Sequence, residues 1–179
     1  LVAIGGMSGT GKTTVACRLA PGLGAVPGAV VVRSDAERKR LFGVHETERL
    51  PESAYDGRIN ADVYARVFDR ATRAVAAGRA VVIEATFLGR NDRARARSAA
   101  ESAGAPFHGV WLDAPVETLK ARVAERVGDA SDATPDVVEA QRRRAPASET
   151  AWPRVAADRD PDSVVASVRS VIGDTRKGR

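Results

Sequence analysis

Gly6-Met7-Ser8-Gly9-Thr10-Gly11-Lys12-Thr13 spells G-x-x-x-x-G-K-T. Glycines at 6, 9 and 11 free the backbone for conformations that a Cβ forbids, so successive N–H groups can converge on one anion. Lys12 is spaced to reach the β- and γ-phosphates of a nucleoside triphosphate, and the Thr13 hydroxyl to ligate Mg²⁺. A glycine-rich turn that only joins two elements has no need of Lys-Thr in this register. The pattern therefore predicts a site for ATP with Mg²⁺, built from Gly6, Ser8, Gly9, Thr10, Gly11, Lys12, Thr13 and Thr14.

Further groups along the chain could complete such a site. Asp35 follows the apolar run Ala29–Arg33 and could accept the proton of an attacking hydroxyl or join the Mg²⁺ shell. Arg38, three residues on, shares its helix face and could grip an anionic part of an acceptor; local capping and pairing with Asp35 is the alternative. Glu84 closes the run Ala80–Ile83, where a metal-binding Asp is the usual residue; it could ligate through water, orient the nucleophile or pair with an arginine. Arg90 and Arg93 come next, as acceptor ligands or as a solvated basic face. Arg122 and Arg126 stand four apart before the loop Gly128–Thr134, so a lid could carry them over the phosphates, with Arg126 stabilising transferring charge. The cluster Arg142-Arg143-Arg144 reads equally as a ligand site or as a helix end compensating its dipole.

These residues need elements to hold them, and the apolar pattern supplies an alternation. Strands are predicted over 1–5, 29–33, 80–83, 107–112 and near Val155–Ala157. Helices are predicted over 11–23, 35–42, 60–77, 91–103, 115–127, 135–144 and 161–172. His45–Asp56 reads as a polar loop. Short continuous apolar strands between helices imply a parallel sheet covered on both faces, with its site at the carboxyl ends of the strands. One α/β domain is expected over 1–173, with a lid about 122–144 and a frayed tail over 174–179.

Bulk composition narrows the function. The chain has 179 residues, 44% hydrophobic, with no run of membrane-spanning length and a first strand where a signal peptide would lie. Cys17 is alone, which excludes a disulfide framework, fits a reducing cytoplasm, and is expected to be a buried inert thiol. Net charge is +5, but only 4% of residues are aromatic. Nucleic acid is thus a conceivable but disfavoured partner, because stacking platforms are few. His45 and His108 stand apart, without metal-ligand spacing for zinc.

Taken together, Gly6–Thr14, Arg33-Ser34-Asp35 with Arg38, Ile83-Glu84-Ala85-Thr86-Phe87, Leu112-Asp113-Ala114-Pro115 and the pair Arg122/Arg126 resemble the P-loop small-kinase group. That group includes phage-type polynucleotide kinases, zeta toxins, chloramphenicol phosphotransferases, and gluconate and shikimate kinases. The chain is most similar to predicted kinase modules fused behind an aminoglycoside-phosphotransferase-like domain, which would account for its start inside a strand. The resemblance covers residue 1 to about 172. It implies a three-layer P-loop NTPase fold with a five-stranded parallel sheet in order 2-3-1-4-5 and a small helical lid. It implies that Asp35 activates the acceptor hydroxyl, that Arg38 binds an acceptor phosphate, and that Arg122 and Arg126 are lid arginines. Glu84 departs from the group's Asp. The expected activity is ATP-dependent phosphorylation of a small-molecule hydroxyl. A polynucleotide 5′-hydroxyl kinase and a non-catalytic ATP-driven regulatory module are the alternatives.

Overall fold

A computed structural model describes residues 1–126, 128–145 and 152–173. The predicted tail at 174–179 lies outside the described residues. Five strands form one sheet: β1 (Val2–Gly5), β2 (Val30–Arg33), β3 (Val81–Glu84), β4 (His108–Asp113) and β5 (Arg154–Ala156). Their order is β2-β3-β1-β4-β5, and every pairing is parallel. β2 and β3 are runs of β-branched residues too short for a helix, and β1 and β3 are buried throughout.

Helices cover both faces, as the alternation requires. On one face, α1 (Lys12–Leu19) and α7 (Pro161–Ile172) pack Val15, Leu19, Val164 and Val168 against Ile4, Val82 and Leu112. On the other, α3 (Gly57–Ala76) and α4 (Arg90–Ser102) bury Val63, Val67, Ala71 and Ala96 against Val32, Ile83 and Trp111. The remaining helices are α2 (Ser34–Phe42), α5 (Val116–Ala124) and α6 (Pro135–Arg144). α5 and α6 share a third, smaller core of Leu119, Val123 and Val138 with Met7 of the glycine-rich turn.

Several boundaries differ from expectation, for local reasons. α1 stops at Leu19 because Pro21 cannot continue it, and a 3₁₀ turn (Ala20–Gly22) follows. α3 begins three residues early because the Asp56 carboxylate accepts from the Ile59 N–H at 2.7 Å, an N-cap. The loop before it contains a 3₁₀ turn over Glu52–Tyr55. Cys17 is exposed, not buried: Val15, Ala16 and Leu19 take the inner face of α1 and Cys17 falls outside it. Among the described residues no helix is long and apolar enough to cross a membrane.

The register sets what can meet at the carboxyl edge. Arg33 pairs with Glu84, and Glu84 with Ile4, one residue before the glycine-rich turn begins to leave the sheet. The Gly6 N–H then donates to the Thr86 carbonyl at 3.3 Å, joining that turn to the end of β3.

Leu119 is fully buried beneath the turn. Leu119→Ala is expected to lower the unfolding free energy by about 2–5 kcal/mol, read from the urea midpoint at unchanged m-value.

Candidate nucleotide and acceptor site

The glycine-rich turn wraps an open cradle. Gly9 has φ 87°, and a Cβ there would lie 2.7 Å from the Leu119 carbonyl oxygen, so α5 can approach only a glycine. Gly11 also has positive φ, 81°, but a Cβ there would meet nothing; it is the uncapped N-terminus of α1, whose first N–H groups stay open to an anion. The Met7 carbonyl braces the interior. It accepts from the Thr10 hydroxyl at 2.8 Å and from Lys12 Nζ at 2.9 Å. Burial pushes the Lys12 ammonium pKa down, against the opposing pull of Glu84 and Asp35, and Arg126 adds to the lowering.

Ser8 is held from outside the turn. Its N–H donates to Gln141 Oε1 at 2.8 Å, and Gln141 Nε2 donates to Ser8 Oγ at 3.1 Å. Gln141 was not picked out from sequence, because a glutamine near a helix end carries no signal until α6 is seen to lie on the turn.

Glu84 is 3% exposed and carries the site's central negative charge. The Thr13 hydroxyl donates to its Oε1 at 2.8 Å, and Arg33 Nε lies 3.4 Å from the same oxygen. Arg33 also reaches Asp129 at 3.3 Å and Glu46 at 3.5 Å. Burial opposes its charge, and these three carboxylates outweigh that, so its pKa is raised. Arg33 is a site residue that the sequence reading quoted but gave no role. Its strand position, one before Ser34-Asp35 and beside Glu84 in register, was the available clue.

Thr13 and Glu84 are hard oxygen donors of the kind Mg²⁺ prefers. A magnesium ion takes few protein ligands and keeps water and phosphate oxygens, so one hydroxyl backed by a carboxylate fits it.

Asp35 sits in the first turn of α2, half-buried, and lines the same cleft as Glu84 and Thr13. Burial raises its pKa and the charge of Glu84 raises it further; Lys12, Arg38 and a hydrogen bond with Ser131 oppose the shift. An open cleft brings these groups together. Ser8, Gly9, Gly11, Lys12, Thr13 and Thr14 line its turn side. Asp35, Glu84, Arg126, Asp129 and Ser131 line the other.

Other predicted residues lie around that cleft. Arg126 Nε pairs with Asp129 at 3.3 Å inside it. Arg122 reaches the turn from α5: its Nη1 donates to the Ala157 carbonyl at 2.8 Å and lies 3.4 Å from the Gly9 carbonyl. Arg38, 5% exposed, donates to the Ala54 carbonyl at 2.7 Å and to Asn60 Oδ1 at 2.6 Å, and lies over the Tyr55 ring at 4.5 Å. Arg93 Nη1 donates to the Phe87 and Leu88 carbonyls at 2.6 and 2.9 Å. It thereby braces a turn in which Phe87 holds φ 49° and donates its N–H to the Tyr64 hydroxyl at 3.0 Å. Arg142 Nη2 pairs with Glu139 Oε1 on α6 at 2.6 Å.

Comparison with known proteins gives the class. Residues 1–147 match the family described as AAA domain, and the chain belongs to that family. The fold is that of P-loop kinases. An APS kinase from Mycobacterium tuberculosis, solved with AMPPNP and APS, superposes with a TM-score of 0.68 at 21% identity over 96% of this chain and 95% of that one. A gluconokinase from Sinorhizobium meliloti 1021 gives 0.65 at 20% identity over 98% and 91%. In sequence, the uncharacterized protein Rv2004c of Mycobacterium tuberculosis is 31% identical over 144 residues, and Mb2027c of Mycobacterium bovis matches equally. The match spans 78% of this chain but only 28% of those relatives.

The raised pKa of Asp35 has a consequence for stability. Between its ordinary value near 3.8 and its folded value, the folded chain binds a proton that the unfolded chain has lost. Stability contributed by this group therefore falls as pH rises through that window and stays reduced above it. Asp35→Asn carries no such charge. Its melting temperature is expected to exceed wild type at pH 7, with the gain shrinking as pH falls toward 4.

Proposed function

We propose that the chain is an ATP-dependent kinase that transfers the γ-phosphoryl group to a hydroxyl of a small molecule. The observation that carries this reading is a half-buried carboxylate, Asp35, in the same cleft as the cradle formed by Gly9–Thr13. A site built only to bind nucleotide needs the cradle and has no use for a base beside it. The kinase folds of the neighbours support the reading.

In this reading the backbone N–H groups of the turn and Lys12 hold the β- and γ-phosphates. Mg²⁺, on Thr13 with Glu84 behind it, would neutralise phosphate charge. Asp35 accepts the hydroxyl proton as the acceptor oxygen bonds to the γ-phosphorus. The bond from that phosphorus to the β,γ-bridging oxygen breaks, and ADP leaves. Arg126 faces the transferring group from the lid side, and Arg122 holds the turn against the β5 end. Ser131 keeps Asp35 oriented toward the cleft. The greater length of the relatives supports the chain's being one module of a longer protein.

The test is ADP release with Mg-ATP and a panel of hydroxyl compounds, in wild type and Asp35→Asn. Wild type is expected to release ADP faster with an acceptor than with water alone. Asp35→Asn should bind AMPPNP within about twofold of wild type and lose a hundredfold or more of acceptor-dependent turnover. Full transfer by Asp35→Asn would remove Asp35 as the base. Tight ATP binding with no acceptor response would leave the regulatory-module reading instead.

The acid limb of the pH–rate profile reports the same group. Activity is expected to rise through a pKa above the ordinary Asp value of 3.8, because the base must be ionised to accept a proton and burial holds its pKa up.

A further inference from the structure

One hydroxyl of the chain already stands where an acceptor hydroxyl would have to meet Asp35. Among the described residues, Ser8, Thr13, Thr14 and Ser131 bring hydroxyls to the cleft. The first three belong to the glycine-rich turn and the start of α1, which hold the nucleotide in the kinase reading. Thr13 donates to Glu84 at 2.8 Å, and the Ser8 hydroxyl accepts from Gln141 Nε2 at 3.1 Å. Ser131 differs from them in place and in partner. It lies outside the cradle, on the loop between α5 and α6, and its hydroxyl donates to the Asp35 carboxylate.

Ser131 is held there from both sides along the chain. Two residues before it, Asp129 pairs with Arg33 and with Arg126, each at 3.3 Å. Asp129 also accepts from the N–H of Ala130, which is itself buried, at 2.6 Å. One residue after Ser131, Asp132 accepts from Lys39 at 2.6 Å, from the Tyr55 hydroxyl at 2.6 Å and from the Leu50 N–H at 3.0 Å. A residue between two such anchors cannot swing far from Asp35 without breaking several of these bonds. Ordering a loop side chain beside a base costs conformational entropy, and the anchors have already supplied that order.

A hydroxyl that donates to a carboxylate is the arrangement in which a base activates an oxygen nucleophile. Because Ser131 is tethered, it is present at Asp35 whenever no acceptor has displaced it. Lys12 and Thr13 line the same cleft, so a γ-phosphoryl group held by the cradle faces the space that Ser131 also lines. Arg126 lines it too, and the charges of Lys12 and Arg38 both reach Asp35. A phosphate formed on Ser131 would therefore stand among cations able to hold it.

Resting on the kinase reading above, we infer that the chain phosphorylates itself on Ser131 when no acceptor is present. Ser131 Oγ bonds to the γ-phosphorus of Mg-ATP, and Asp35 takes the hydroxyl proton. The bond from that phosphorus to the β,γ-bridging oxygen breaks, and ADP leaves, one for each phosphoserine made. Ser131 thus orients Asp35 and is also a modification site.

The test incubates the chain with Mg-ATP and no acceptor, follows its intact mass, and maps the modified residue by tandem mass spectrometry. Wild type is expected to gain one phosphoryl group, on Ser131, with ADP released in equal amount during that phase. The rate per chain should not depend on protein concentration, because the transfer is within one molecule. Ser131→Ala should lose the label. Asp35→Asn, with AMPPNP binding retained, should be labelled at least about a hundredfold more slowly. A label on another residue, a rate that rises with protein concentration, or equal labelling of Asp35→Asn would overturn the inference. So would an unlabelled chain whose ADP release responds to a hydroxyl compound, and that result leaves the kinase reading standing. No label and no response to any hydroxyl compound, with AMPPNP still bound, would remove the kinase reading and the inference with it.

Discussion

A carboxylate buried at the end of a central strand has to be compensated, and the compensation of Glu84 organises this protein's working edge. An uncompensated charge at that depth would cost several kcal/mol, so its partners are drawn from neighbouring elements. Thr13 comes from the start of α1 and Arg33 from the end of β2. Through Arg33 the charge is linked to Asp129 in the lid-side loop and to Glu46 in the segment after α2. It also lies close enough to oppose the lowering of the Lys12 pKa and to add to the raising of that of Asp35. One buried oxygen thus ties the phosphate cradle, the candidate base and two loops to the same point of the sheet.

The rest of the framework follows from that edge. Parallel strands place their carboxyl ends together, so residues that are scattered in sequence become neighbours through register. The α5–α6 hairpin closes the cradle from outside with an apolar contact to Met7 and the paired bonds of Gln141 with Ser8. On the other side, Asp132 gathers Lys39, Tyr55 and Leu50, which fastens the loop before α6 to the segment before α3. The loop over 128–134 therefore bridges the nucleotide side and the acceptor side, with Asp129, Ser131 and Asp132 facing different partners within four residues.

The fold was legible because its signals are local and repeated. Val30–Val32 and Val81–Ile83 are short, apolar and flanked by turns, and α3 keeps Val63, Val67 and Ala71 at helical spacing. The cradle was legible because one motif encodes both its backbone and its chemistry. The site's interior was less so. Arg38 looked like an anion ligand three residues from Asp35, yet its donors go to Ala54 and Asn60, which no sequence pattern connects to it. Lys39 and Asp132 lie 93 residues apart and carried no motif. The exposure of Cys17 and the early end of α1 were available from helical phase and from Pro21. Pairings between loops were not, because loop residues have no periodicity to declare which side they face.

The most direct test of the Glu84-centred account is a ¹³C carboxyl titration of Asp35, followed by NMR in wild type and in Glu84→Gln. The account predicts that Asp35 titrates above its ordinary value near 3.8 in wild type and moves downward in Glu84→Gln, since one of the two influences raising it has been removed. An Asp35 that titrates at its ordinary value in wild type, or whose titration is unmoved by the loss of the Glu84 charge, would contradict it.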